Sequence, residues 1–221
     1  MPDLTKPVPF LAIGVVFEAV LALTALLLGW FLGIDALRQI QFTRAAVICG
    51  VVATVPIFLA FLLTFFRPIG GLEKIKRLLI ELLGPPLCAA RWYELIGLAL
   101  VVGFSEELLF RGVLQPWLSR WGEHFGLLTS NVLFGLAHFI TPLYSVIAGL
   151  LGLYLGWLLN GPADGNLFAP MLTHALYDYL AFLVLIREVR RQQMSSSDQT
   201  RDQPIPKFDQ ENAFDEEPRN P

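Results

Sequence analysis

Six apolar segments, each meeting or approaching the length of a membrane-spanning helix, constrain the fold of this 221-residue chain more than any other feature. Such a helix needs about 20 mostly apolar residues, because hydrocarbon cannot satisfy bare backbone N–H and C=O groups. The first segment is longer than the apolar core of a signal peptide, so we interpret it as a retained span. The sequence therefore predicts an all-α, polytopic transmembrane helical bundle. The predicted spans are residues 10–33, 45–66, 95–118, 125–140, 143–160 and 167–186.

Composition and charge agree with a membrane protein. Hydrophobic residues make up 55% of the chain and charged residues 16%, which is less charge than a soluble domain usually carries. A formal net charge of −3 argues against a nucleic-acid partner. Cys49 and Cys88 lie in different segments, and their spacing fits neither a zinc site nor a disulfide framework.

The segments outside the spans divide the chain further. In residues 71–83, apolar side chains recur at helical spacing among lysines and arginines, which indicates an amphipathic helix in the membrane interface or, alternatively, a basic loop. Pro85 and Pro86 are then predicted to break the helix before the third span. Residues 1–190 are interpreted as the transmembrane bundle, and residues 191–221, which are largely polar, as a disordered cytoplasmic tail.

The distribution of basic residues predicts the orientation. An even number of spans places both termini on one side of the membrane, and that side carries nine lysines and arginines against three on the other. Because cytoplasmic loops are enriched in Lys and Arg, both termini are predicted to be cytoplasmic. The nine are Lys6, Arg67, Lys74, Lys76, Arg77, Arg91, Arg187, Arg190 and Arg191, and the three are Arg38, Arg44 and Arg120.

The third span carries three charges in its middle. Each costs about 2.5–3.5 kcal/mol at membrane depth, so compensation is required. Glu107 and Arg111 are four residues apart and face each other across one helical turn. Glu106 is turned about 100° away from Glu107 and is left over, which makes it a candidate general base.

Two other spans carry ionisable residues that can meet this carboxylate. One stripe of the fourth span carries Asn131, Phe134 and His138, and one face of the sixth carries His174 and Asp178. A lone histidine in a membrane can be an interhelical hydrogen-bond partner, but two of them with a spare carboxylate favour a site around a mid-membrane cavity.

Two further features are interpreted as structural. Glu18, in the first span, has no obvious partner and is interpreted as a helix-packing or snorkelling group rather than a catalytic one. Ala148, Gly152 and Gly156, four residues apart, form a face on which helix backbones can approach closely.

Three motifs resemble those of the CPBP family, the CAAX-protease and bacteriocin-processing (Abi) intramembrane endopeptidases. The run EELLFR from Glu106 to Arg111 resembles the EExxxR motif, and FGLAH from Phe134 to His138 is similar to FxxxH. HALYD from His174 to Asp178 resembles the third motif, HxxxN or HxxxD. The resemblance covers about residues 95–186, with each motif on its own span.

The resemblance implies an intramembrane endopeptidase that hydrolyses a peptide bond of a membrane-associated protein or peptide, without a cofactor. It assigns water activation to Glu106, water orientation to His138 and oxyanion stabilisation to His174 and Asp178. The supporting residues are Glu107, Arg111, Phe134 and Asn131.

Asp178 departs from the amide form of the third motif. An asparagine amide can donate to an oxyanion, whereas an ionised aspartate cannot. We expect Asp178 to accept a hydrogen bond from His174 and hold that ring as an imidazolium donor, and the alternative is a protonated Asp178.

Three alternatives remain open. Two histidines with a carboxylate are a known zinc set, although HExxH is absent. A non-catalytic membrane protein that binds a peptide, such as an immunity protein, would need no hydrolysis. A proton-coupled carrier would be expected to show internal repeats, and none is seen.

Overall fold

The computed structural model describes residues 7–201, and side chains from 10 to 195. The described chain is helical apart from its connecting loops and has no strand, so the predicted all-α class is confirmed. Short non-α turns occur at Ala36–Gln39, Phe110–Leu114 and Ser119–Trp121. The α-helices are α1 Pro7–Leu32, α2 Arg44–Phe66, α3 Gly71–Ala89, α4 Trp92–Leu109, α5 Gln115–Leu118, α6 Glu123–Ala137, α7 Pro142–Asn160 and α8 Phe168–Arg201.

Four of these helices are long and apolar enough to cross a membrane within the described residues: Phe10–Leu32, Arg44–Phe66, Pro142–Asn160 and Phe168–Ser195. The other two predicted spans correspond to α4 with its continuation through α5, and to α6. α4 carries three glutamates and α6 has only 15 residues. Both lie against other helices, and the polar residues buried in them are Ser105, Glu106, Glu107, Ser130 and Asn131.

Close backbone approaches join each of the three motif-bearing helices, α4, α6 and α8, to a neighbouring helix. A Cβ at Gly103 of α4 would lie 2.9 Å from the backbone nitrogen of Ala175 in α8. A Cβ at Gly135 of α6 would lie 2.6 Å from the backbone oxygen of Ser145 in α7. Only glycine permits these contacts. They fix α4 against α8 and α6 against α7.

The predicted amphipathic segment is helical, but the expected break at Pro85 and Pro86 is wrong, because α3 continues to Ala89. The carbonyls that lose a donor belong to Glu81 and Leu82, which are exposed, so their loss is inexpensive. Pro86 itself is buried, together with Leu87, which packs in an apolar cluster with residues of α8. Packing therefore outweighs the proline penalty.

The last helix, α8, continues past residue 190 to Arg201, while the division into bundle and tail stays a prediction. Arg, Gln and Met are good helix formers. In addition, Arg191 Nε donates to Glu188 Oε2 at 3.0 Å within the same helix. The prediction of disorder for residues 202–221 lies outside the described residues.

Candidate active site

Arg111 anchors the site from a π-helical turn, Phe110–Leu114, which follows α4 directly. The backbone N–H of Gln115 donates to the Phe110 carbonyl five residues back, and such turns are frequent at functional sites. The Arg111 side chain is fully buried, and its Nη1 lies 2.9 Å from Glu107 Oε1. The predicted Glu107–Arg111 pair is thus confirmed.

α6 and α7 complete the surroundings of the guanidinium. Arg111 Nη2 donates to Asn131 Oδ1 at 2.9 Å, and the guanidinium lies 4.4 Å over the ring of Phe134. On α7, a Cβ at Gly152 would lie 2.6 Å from Asn131 Oδ1 and 2.7 Å from Arg111 Nη2. The small-residue face of α7 therefore leaves room for the arginine, and Asn131 and Phe134 both contact it.

His174 is held by Glu107. Its Nδ1 lies 2.9 Å from the same Oε1 that accepts from Arg111. A carboxylate oxygen only accepts, so Nδ1 carries the donated proton and Nε2 faces the other side chains of the site. The sequence could not show this contact, because the two residues belong to different helices.

The direct hydrogen bond expected between Asp178 and His174 is not formed. Asp178 Oδ2 lies 3.6 Å from His174 Nε2, which exceeds a direct hydrogen bond. The four-residue spacing does bring the carboxylate beside the ring. The imidazole orientation is nevertheless set by Glu107, which reaches the opposite nitrogen at 2.9 Å.

Glu106 faces both histidines. Its Oε1 lies 3.4 Å from His138 Nε2, and its Oε2 lies 3.8 Å from His174 Nε2. The two histidines of the other motif-bearing helices thus meet this carboxylate, as the sequence predicted, while its Oε2 is buried and makes no hydrogen bond. Across the described residues, no group of three or more His, Cys, Asp and Glu side chains is arranged to hold a metal ion.

His138 caps the C-terminus of α6, which ends at Ala137 and is shorter than the predicted span. Its Nδ1 lies 2.9 Å from the Phe134 carbonyl oxygen, and its ring stacks on the Phe134 ring with centroids 4.4 Å apart. The carbonyl can only accept, so Nδ1 is the donor and Nε2 is directed to Glu106.

A cavity of about 300 Å³ adjoins this group of side chains. α1 contributes Phe17 and Leu21 to its wall, and α7 contributes Tyr144. Glu106 and His138 provide its polar side, while most of the remaining wall is apolar. An apolar peptide segment could therefore lie beside the carboxylate. The wall is completed by Phe110, Ala137, Phe139 and Ile140.

Sequence reasoning set one residue of this region aside. Glu18 on α1 is only 5% exposed, and its Oε2 is buried without a hydrogen-bond partner. Its carboxylate interacts electrostatically with Glu106, His138, His174 and Asp178. An acidic residue inside an apolar span is itself an indication of function. The sequence offered no partner near Glu18, so its proximity to the residues of the three motifs could not be predicted.

Residues 88–180 match the family described as Type II CAAX prenyl endopeptidase Rce1-like, and all three motifs lie within that match. The uncharacterized protein YpbD of Bacillus subtilis strain 168 is 33% identical over 121 residues. That alignment covers 51% of this chain and 57% of YpbD, so the chain spans just over half the length of this relative. No solved structure matches the chain.

Proposed function

We propose that the protein is an intramembrane endopeptidase, starting from the match of residues 88–180 to the family described as Type II CAAX prenyl endopeptidase Rce1-like. One observation carries the proposal. The Glu106 carboxylate lies 3.4 and 3.8 Å from two imidazole Nε2 atoms, beside a cavity with a mostly apolar wall. The arrangement places a possible general base, two histidine nitrogens that can form hydrogen bonds, and a cavity next to one another.

Glu106 is the general base for the attacking water. The attacking water lies in the cavity that Glu106 and His138 both line, where it can hydrogen-bond to the carboxylate and to the imidazole. Glu106 takes a proton from this water as the water oxygen bonds to the scissile carbonyl carbon, and the carbonyl electron pair moves onto its oxygen. The C–N bond then breaks, and Glu106 returns the proton to the leaving nitrogen.

His138 orients the water. Its Nδ1–H is committed to the Phe134 carbonyl, which leaves Nε2 to accept from the water beside Glu106. The stacked Phe134 ring restricts rotation of the imidazole. The attacking oxygen is thus positioned by two acceptors before the substrate carbonyl arrives.

His174 stabilises the oxyanion. Glu107 holds its Nδ1, as the aspartate does in a Ser-His-Asp triad, and Arg111 holds Glu107 through the same oxygen. A protonated Nε2–H then donates to the negative oxygen. Asp178, 3.6 Å from Nε2, adds favourable charge when the ring is an imidazolium.

The expected substrate is a peptide or protein held at the membrane, because the cavity wall is apolar and the protein has helices suited to spanning a bilayer. The excess of basic residues on one side supports cytoplasmic termini. The motif set needs no cofactor for water activation.

The test uses the full chain in liposomes with a library of quenched fluorogenic peptides carrying an acyl anchor. We expect the wild type to cleave at least one peptide, and Glu106→Gln to lower kcat by about 100-fold or more, since a base contributes 10²–10⁴-fold. Glu123→Gln, an exposed acid on α6, is the matched control and should retain activity. Peptide binding without cleavage by the wild type would favour the non-catalytic alternative.

A further inference from the structure

Glu18 carries a buried acceptor with no hydrogen-bond partner among the residues that the structure describes. The residue is 5% exposed, and its Oε2 makes no hydrogen bond. Leaving such an atom buried costs free energy, more for a charged group than for a neutral one. An apolar side chain would pack at this position at lower cost. The unpaired carboxylate oxygen therefore indicates that a bound molecule donates a hydrogen bond to it.

The register of α1 against α4 places Glu18 next to the site. A Cβ at Gly14 would lie 3.3 Å from Leu98 Cδ1, and one at Gly29 would lie 3.4 Å from Val113 Cγ2. Both contacts join residues 84 apart, so the helices are parallel and Glu18 is level with residue 102. Glu106 is one turn further, about 6 Å along the axis.

The neighbours of Glu18 on α1 face the reacting groups. Phe17 and Leu21 line the cavity that also contacts Glu106 and His138. The charged and titratable groups that interact with the Glu18 carboxylate are Glu106, Asp178, His138 and His174. These four residues each have a role in the proposed hydrolysis, whereas Glu18 has not yet been given one.

The peptide bond has one polar atom that the proposed mechanism leaves without a partner. In that mechanism His174 donates a hydrogen bond to the carbonyl oxygen, and Glu106 and His138 accept hydrogen bonds from the attacking water. The amide N–H of the scissile bond needs an acceptor, and a carboxylate accepts without donating. The free oxygen of Glu18 supplies an acceptor of that kind.

We infer that Glu18 is a further catalytic residue, whose carboxylate accepts a hydrogen bond from the N–H of the scissile peptide bond. The inference rests on the proposed endopeptidase function. No covalent bond to Glu18 is formed. When the C–N bond breaks and Glu106 protonates the nitrogen, Glu18 stabilises the amine as it forms.

The test compares amide and ester cleavage. An anchored fluorogenic peptide that the wild type cleaves is paired with a depsipeptide in which an ester oxygen replaces the scissile N–H. We expect Glu18→Leu to lower kcat/KM for the amide by about 10- to 100-fold, as for a lost hydrogen bond to a charged group. Ester hydrolysis should change by less than about threefold, because the ester has no N–H to donate.

Stability gives a second readout. Glu18→Leu should leave the detergent melting temperature unchanged or raise it, since it removes an unpaired buried carboxylate. Glu18→Gln keeps an acceptor oxygen and should lose less amide activity than Glu18→Leu. Thr24→Ala, an exposed position on the same helix, is the control and should change neither substrate's cleavage.

The outcomes separate the two proposals. Equal loss on the amide and the ester, or a lowered melting temperature that accounts for the loss, would mean that Glu18 is structural. Unchanged amide cleavage in Glu18→Leu would also overturn the inference. If the wild type cleaves neither probe nor any library peptide, the endopeptidase proposal fails, and the Glu18 inference fails with it.

Discussion

Two groups of buried carboxylates among the described residues differ in how completely their oxygen atoms are hydrogen-bonded or ion-paired. Between α3 and α8, Glu188 is 3% exposed, and it lies 2.8 Å from Lys76 Nζ through Oε1 and 3.0 Å from Arg191 Nε through Oε2. Both of its oxygens are thus engaged. In the candidate site, Glu106 and Glu107 each bury one oxygen without a hydrogen-bond partner.

The difference separates a structural cluster from a reactive one. A buried carboxylate whose oxygens are all paired locks helices in place. One that keeps a buried oxygen free costs stability, and such violations are expected where a protein acts on another molecule. On this basis we interpret the ion-paired group of Lys76, Glu188 and Arg191 as structural, and the α4 glutamates Glu106 and Glu107 as part of a reactive site.

The largest expected effect is that of Arg111→Met. The variant leaves Glu107 buried without its cation, and breaking a buried pair costs about 3–5 kcal/mol. It also releases the carboxylate that orients His174, so activity should fall as well as stability. Detergent melting and peptide cleavage measure the two effects. An unchanged melting temperature would contradict the burial of this pair.

A smaller effect, on stability alone, is expected for Glu188→Gln. The loss of the paired charge leaves Lys76 without its counter-ion and should cost about 1–3 kcal/mol. Activity per folded molecule should stay at the wild-type level. Glu73→Gln is the control, because Glu73 pairs with Arg77 at the exposed surface, where such a pair contributes little. If Glu188→Gln lost activity at an unchanged melting temperature, the distinction between the structural group around Glu188 and the reactive site would be wrong.

The local part of the site could be predicted from sequence. Helix geometry alone separates Glu106 from Glu107 by about 100° and pairs Glu107 with Arg111 one turn later. In the structure Glu107 pairs with Arg111, while Glu106 points to the other side and lies beside His138. Apolar length in the same way predicted the helical bundle.

The non-local part could not be predicted. The bond between Glu107 and His174 joins residues 67 apart on two helices and depends on the close contact of α4 with α8. The π-helical turn at Phe110–Leu114 has no sequence signature in helical periodicity. The continuation of α3 through Pro85 and Pro86 depends on packing against α8, which a local rule about proline ignores.

Asp178 offers a finer test, because two carboxylates flank His174 at different distances. Glu107 lies 2.9 Å from Nδ1, and Asp178 lies 3.6 Å from Nε2. We therefore expect Glu107→Gln to lower kcat strongly, and Asp178→Asn to retain activity within about tenfold, since its amide can donate to the oxyanion. Asp178→Ala, which supplies neither charge nor donor, should be worse than Asp178→Asn. If Asn and Ala at this position are equally inactive, the carboxylate itself is required.

The smallest expected effect is that of metal removal. Glu106, His138 and His174 are donors of the kinds that bind catalytic zinc, so the alternative needs a direct test. Carboxylate-driven water activation needs no ion, and activity should remain within about twofold after treatment with EDTA or phenanthroline, reagents that strip metal-dependent proteins. A zinc peptidase assayed in the same liposomes shows that the chelators act under these conditions. Loss of activity restored by zinc alone would make Glu106 a ligand rather than a base, and the free oxygens of the site would then be explained by the ion.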